Sequence, residues 1–328
     1  YFSGNILLIC PGYPMVKNKY LFSFIHSRVQ AYKENKLNVD VAVVHSEYIE
    51  KTEFATFENV DYIRTGYNQI RNLLQVKKYD KILIHFFDPA YFQLLEPQDL
   101  SNTQVILYSH GTDALYRAFD VIGRPYFVSD YVVPESFTKT FALRDYYIKK
   151  YNNLPNVKFV FVSNWAKKMS EELLKIKYNN AEVIPCFIDE KQFPYTEKDP
   201  ELRKRVFVLR KFDDLSTYSI DIDVRVILEL SHRKCFNDME FSIYGDGGIH
   251  DKLVEPLRKF SNVHIYRKFL SHDEIKMMQK ENGIGLFATR FDTQAVSSCE
   301  AAMAGCVVVS SKNVGTCEYI DPKIGTFC

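Results

Sequence analysis

Short apolar runs recur along the chain, separated by stretches with helical spacing. The run NILLIC at 5–10 is unbroken and reads as a strand buried on both faces. Pro11-Gly12-Tyr13-Pro14 ends it in a turn. Residues 20–35 follow, with Phe24, Ile25, Arg28, Val29 and Tyr32 on one helical face. Further strands are expected at 39–44, 79–87, 104–108, 159–163 and 181–185, with helical segments between most of them. That alternation predicts a doubly wound α/β domain. It resumes with a strand at 206–209, a helix at 222–230, and strands at 240–244 and 263–266. Ser271 and Glu274 then have the spacing of a capping box at the start of another helix. The last unit is a strand at 283–288, a polar loop at 289–295, a helix at 296–304 stopped by Gly305, and a strand at 306–309. Strand, loop, helix and strand in that order make one βαβ unit of a parallel sheet.

Length and composition set the number of cores. A chain of 328 residues, 46% of them hydrophobic, can bury two. The charged segment TEKDP at 196–200 reads as a linker, so the domains are expected at 1–195 and 196–328, divided near Tyr195. A formal net charge of +1 gives no nucleic-acid footprint. No apolar run reaches the length of a membrane span, and 5–10 is too short for the core of a signal peptide. The seven cysteines are scattered with no C-x-x-C pair, which fits a reducing cytosol without disulfides or a zinc site. Residues 117–150 mix aromatic and basic side chains; they suit contact with an anionic inner-membrane surface or a helical cover over the sheet.

Polar residues just after strands are the candidates for chemistry, because ligands of parallel sheets sit at the carboxyl ends of strands. Gly12 follows the first strand and serves either its turn or a close ligand approach. Within SHGTD at 109–113, His110 either lines a site or caps the next helix, and Asp113 either orients that imidazole or acts as an N-cap. Arg210 and Lys211 follow the strand at 206–209; Arg210 suits a phosphate or a surface pair with Asp213 or Asp214. Gly245 opens the turn GDGG, and Lys268 and Phe269 follow the strand at 263–266. Asp292 lies in the loop before the last helix and Glu300 lies within it.

Asp292-(x)7-Glu300, followed by AAMAGCVVVSS, resembles the E-(x)7-E segment of retaining GT-B glycosyltransferases of family 4. Ile184-Pro185-Cys186-Phe187-Ile188-Asp189 is similar to that family's connector between domains, and His110-Gly111 to a segment lining its cleft. The resemblance implies two Rossmann-like parallel-sheet domains facing a cleft. It implies a nucleotide-sugar co-substrate, UDP- or GDP-linked, with no further cofactor and no metal. Glu300 would then bind the ribose, and Asp292 with the amides of Gln294, Ala295 and Val296 would contact sugar and phosphates. Arg210, helped by Lys211, would neutralise the diphosphate, and the segment at Lys268 and Phe269 would hold the base. Gly12, His110 and Gly245 would line the site. The acceptor would be a glycan or a lipid-linked molecule in cell-surface polysaccharide assembly.

Three positions depart from the pattern. Asp292 stands where Glu is usual, Ala295 where Gly is common, and Ser216-Thr217-Tyr218 where a Lys is expected. The chain opens at Tyr1 without Met and stops at Cys328, before the further helices usual in that fold, so the second domain reads as incomplete. A non-catalytic nucleotide-sugar binder on the same scaffold is the alternative in another class. A sugar phosphorylase or hydrolase is less well matched, because both carboxylates come from one loop–helix unit.

Overall fold

The computed structural model describes residues 2–19, 21–48, 51–116, 135–213, 215, 217–312, 314–323 and 325–327. The described residues up to Phe187 form one compact unit, and those from Ile188 onward form another. The division thus falls ahead of Tyr195. The segment after it belongs to the second unit because it is anchored there. Phe193 lies in that unit's core, and the buried Lys198 ammonium donates to the Gln279 carbonyl at 2.5 Å, where a helix ends.

The first unit is built on strands β1 (Ile6–Cys10), β2 (Val39–Val44), β3 (Glu53–Phe57), β4 (Val60–Thr65), β5 (Lys81–His85), β6 (Gln104–Ser109), β7 (Val157–Phe161) and β8 (Ala181–Val183). They lie in the order β3-β4-β2-β1-β5-β6-β7-β8. All neighbours are parallel except the β3–β4 hairpin. The helices are α1 (Ser23–Glu34), α2 (Tyr67–Val76), α3 (Pro89–Leu95), α4 (Thr112–Leu115), α5 (Glu135–Asn152) and α6 (Asn164–Leu174). Every residue of β1 is buried, as its unbroken apolar run requires of a central strand. Ile25 and Val29 of α1 are buried against this sheet with Leu8, Val41 and Leu83.

The β3–β4 hairpin was not legible as strands. Its outer strand is largely exposed at the sheet edge, so it carries no apolar alternation. Its turn is made by Glu58 and Asn59, both at positive φ, without the glycine that usually marks such turns. The basic, aromatic stretch divides in two. Residues 117–134 lie outside the described residues. The remainder forms α5, whose Tyr147 stacks on Phe92 of α3 at 5.4 Å and whose Tyr151 hydroxyl donates to the Phe92 carbonyl. This half of the stretch covers the sheet. Among the described residues no helix is long and apolar enough to cross a membrane.

The second unit alternates β9 (Arg205–Leu209), α7 (Ile220–Leu230), β10 (Glu240–Gly245), α8 (His250–Val254), β11 (Val263–Arg267), α9 (His272–Glu281), β12 (Ile284–Phe287), α10 (Val296–Met303), β13 (Val307–Ser310) and β14 (Gly325–Phe327). The order is β11-β10-β9-β12-β13-β14, all parallel. One face is covered by Ile220, Val224 and Ile227 of α7 with Val254 of α8, the other by Ile275 and Met278 of α9 with Ala301 of α10. Ser271 caps α9 in a complete capping box with Glu274. The order reverses between β9 and β12, and between β1 and β5 in the first unit. Each reversal opens a crevice at the carboxyl ends of two strands that lead off in opposite directions.

Candidate functional site

In the second unit, chain leaving β9 and chain leaving β12 meet at the reversal. Arg210 follows β9 and is only 5% exposed. Its guanidinium lies over the rings of Tyr218 and Phe287, 5.0 and 4.8 Å from their centroids. Nη2 donates to Thr289 Oγ1 at 3.1 Å, and Nη1 donates to Ser297 Oγ at 3.3 Å. Ser297 is in the first turn of α10, so the cation is aimed at the amino end of a helix. Its Nε is buried and has no partner. Buried cations are normally fully bonded, so an open donor here marks a place for an acceptor.

Asp292, Gln294, Ala295 and Val296 form the turn into α10. The Asp292 carboxylate accepts the amides of Gln294 at 3.2 Å and Ala295 at 2.8 Å. Burial raises its pKa, and those amides with Arg210 partly offset the rise. The short side chain therefore holds its own loop. Ala295 adopts a left-handed conformation, φ 57 and ψ 64, as the N-cap of α10. That explains why a glycine suits this position. Val296 follows as the first residue of the helix. Glu300 lies one turn further on. Burial lifts its carboxyl to about 8. Among the described residues no side chain or amide bonds that carboxyl.

Gly245 and Lys268 come together as a backbone bridge between the ends of β10 and β11. Gly245 has φ 151, and an added Cβ would stand 1.9 Å from the Arg210 carbonyl. The glycine thus admits the close approach of the chain leaving β9. Lys268 pairs with Glu274 at 2.9 Å on the surface, and Phe269 is 56% exposed beside it. Lys211 points away from its neighbour Arg210, as adjacent residues of extended chain do, and pairs with Asp213.

Two residues behind the site escaped the sequence reading. Asp221 and Asp223 occupy buried positions in the first turns of α7. Asp221 binds Arg290 through two hydrogen bonds of 2.7 Å. Asp223 Oδ1 accepts the Ala288 amide at 2.9 Å, while Oδ2 is buried without a partner. Burial raises Asp223 to about 7 against the pull of Arg210. Ala288, Thr289 and Arg290 are consecutive, so α7 fixes the segment that receives Arg210. The signal was present as two acids inside the apolar helix sequence IDIDVRVIL.

The first unit holds the remaining candidates. The position where a Cβ would stand on Gly12 lies 2.7 Å from the Phe22 ring, so the ring covers this turn. His110 Nε2 and His85 Nδ1 share a hydrogen bond of 2.8 Å, and the rings stack at 5.0 Å. Burial lowers both, His110 to about 3, so both imidazoles are neutral. Asp113 does neither thing expected of it. Its carboxylate accepts the amides of Phe87, His110 and Gly111, and the ring of His110 is held by His85 instead. The loop closes on itself because a buried carboxylate needs several donors.

No protein-family model matches the chain, and no curated protein does. Solved structures do. Sucrose-phosphate synthase from Thermosynechococcus elongatus superposes with a TM-score of 0.69 at 13% identity, over 98% of this chain and 85% of that one. A TarM variant from S. aureus, in complex with fondaparinux, alpha-GlcNAc-glycerol and UDP, gives 0.64 at 12% identity, over 98% and 89%. A trehalose-6-phosphate synthase, described in terms of glycosyltransfer with retention, gives 0.61 at 11% identity, over 96% and 85%. The fold is therefore GT-B, with two parallel-sheet α/β units.

Proposed function

We propose that this chain is a glycosyltransferase that takes its sugar from a nucleotide-sugar donor held by the second unit. The carrying observation is the buried Arg210 guanidinium, bonded to Ser297 at the start of α10 and left with an open Nε. Together with the first amides of α10 it offers fixed positive potential to a diphosphate. Such preorganised donors stabilise charge on a departing group, and in transfer chemistry of this kind that stabilisation commonly outweighs every other source of rate. The reading needs no metal ion for that purpose. Glu300, raised by burial and without partners, would accept the two ribose hydroxyls. The chain at Lys268 and Phe269 would take the base.

Transfer with retention, to a glycan or lipid-linked acceptor that enters by the first unit, completes the reading. The solved structures that contain UDP or transfer with retention on this fold support it. A non-catalytic nucleotide-sugar binder is the second reading, favoured by an Asp292 carboxylate already occupied by its own loop.

Calorimetry with UDP- and GDP-sugars tests the assignment. Glu300→Ala is expected to weaken nucleotide binding by roughly tenfold, the effect of losing hydrogen bonds to the ribose. Binding unchanged by that substitution would remove the ribose role. Tight binding without turnover across the donor panel would favour the second reading.

A further inference from the structure

The charges around Arg210 do not balance for an anionic ligand. Lys211 is turned outward and neutralised by Asp213. Arg290 is matched by Asp221. Among the described side chains around this turn, that leaves Arg210 without a carboxylate partner, near Asp292 from the loop after β12 and Asp223 from α7. On the neighbouring α8, His250 is paired with Asp251. Asp223 is 0% exposed, and its Oδ2 has no partner, just as Arg210 Nε has none. The two side chains are bonded to consecutive residues, Asp223 to the Ala288 amide and Arg210 to the Thr289 hydroxyl. A diphosphate entering here meets a cation bonded only to hydroxyls, with two carboxylates close enough to feel its charge but not paired with it.

We infer that the site loads its diphosphate together with a proton, taken from solvent onto the free Oδ2 of Asp223. The inference rests on the nucleotide-sugar reading and adds to it. Protonation abolishes the charge that competes with the phosphates for Arg210. It also converts an unmatched buried acceptor into a neutral carboxyl, which suits an apolar setting. Before binding, the Asp223 carboxyl stands at about 7, because burial, with the Asp221 charge nearby on α7, raises it more than Arg210 and the Ala288 amide lower it. The diphosphate's negative charge nearby must raise it further. Protons are therefore taken up on binding, and affinity falls as pH rises above about 7, by at most tenfold per unit for one proton.

The test is calorimetry of UDP with the whole chain at about pH 7.5, in two buffers of different ionisation enthalpy. Asp223→Asn keeps an oxygen for the Ala288 amide but cannot take a proton. The wild type is expected to take up about half a proton to one proton more per UDP than this variant. Its affinity should also fall relative to the variant's between about pH 7 and 8.5, by several-fold. Ionisation of UDP, of Asp292 and of Glu300 is common to both proteins and cancels in the difference. Equal proton counts would overturn the inference while leaving nucleotide binding intact. Failure of both proteins to bind UDP at any pH would overturn the nucleotide reading and this inference with it. Should Asp223→Asn not fold, Glu300→Gln removes the other raised carboxyl, and a UDP affinity of that variant that does not fall across the same range contradicts proton uptake by Asp223.

Discussion

At the scale of single residues, the second unit holds several groups in states that cost stability. Glu300 is half-buried, and the partial loss of water around its carboxyl raises it to about 8. Ala295 stands in a left-handed conformation that a side chain disfavours by about 1–2 kcal/mol. Strain of this kind gathers where a backbone must hold a shape for a ligand. Ala295→Gly should relieve it. Glycine returns about 0.5–1 kcal/mol of that gain as unfolded-state entropy, so a net stabilisation of about 0.5–1 kcal/mol is expected in denaturant titration. A loss of stability would show that the methyl group makes contacts worth more than the strain. The sequence disclosed this position through a glycine's absence. It could not disclose that Asp292 folds back on Gln294 and Ala295, because that depends on side-chain reach within a particular turn.

At the scale of elements, α7 acts as a clamp. Its apolar positions Ile220, Val224 and Ile227 bury against the sheet, and its two aspartates hold the chain that leaves β12. The Asp221–Arg290 pair is buried and bidentate, so removing one partner strands the other charge. Asp221→Asn is predicted to cost about 3–5 kcal/mol, read as a fall in the denaturation midpoint. A change below about 1 kcal/mol would mean that the pair is solvated in solution and that α7 is held by its apolar face alone.

The same element shows what a sequence displays and what it hides. Strands such as β1, β9 and β12 were visible as unbroken apolar runs, and α9 by its capping residues. The β3–β4 hairpin was hidden because edge strands need no apolar alternation. Asp223 was hidden for another reason. A buried acid within an apolar helix is conspicuous, but only the packing of α7 under the β12 loop shows what it faces.

At the scale of the molecule, two parallel sheets each reverse their strand order; Gly12, Arg210 and Asp292 lie at those reversals, and His110, Gly245 and Lys268 lie at the carboxyl ends of neighbouring strands. Their place at the ends of strands was legible, because Gly12, His110, Arg210, Lys268 and Asp292 follow strands and Gly245 closes one. Which of them meet was not legible, since sheet order is set by packing over long sequence separations. The structure brings Arg210 to the turn at Asp292–Val296 and leaves Lys211 outside. In the first unit Phe22 covers Gly12, and His85 holds His110.

The central claim is that Arg210 holds the diphosphate of a nucleotide in the second unit. Calorimetric titration of UDP into the wild type and Arg210→Met tests it most directly, because methionine keeps much of the apolar stem while removing the charge. The account predicts binding by the wild type and a loss of about a hundredfold or more in the variant, the scale of a buried charge-assisted contact of about 3 kcal/mol. Equal affinities in the two proteins would contradict it.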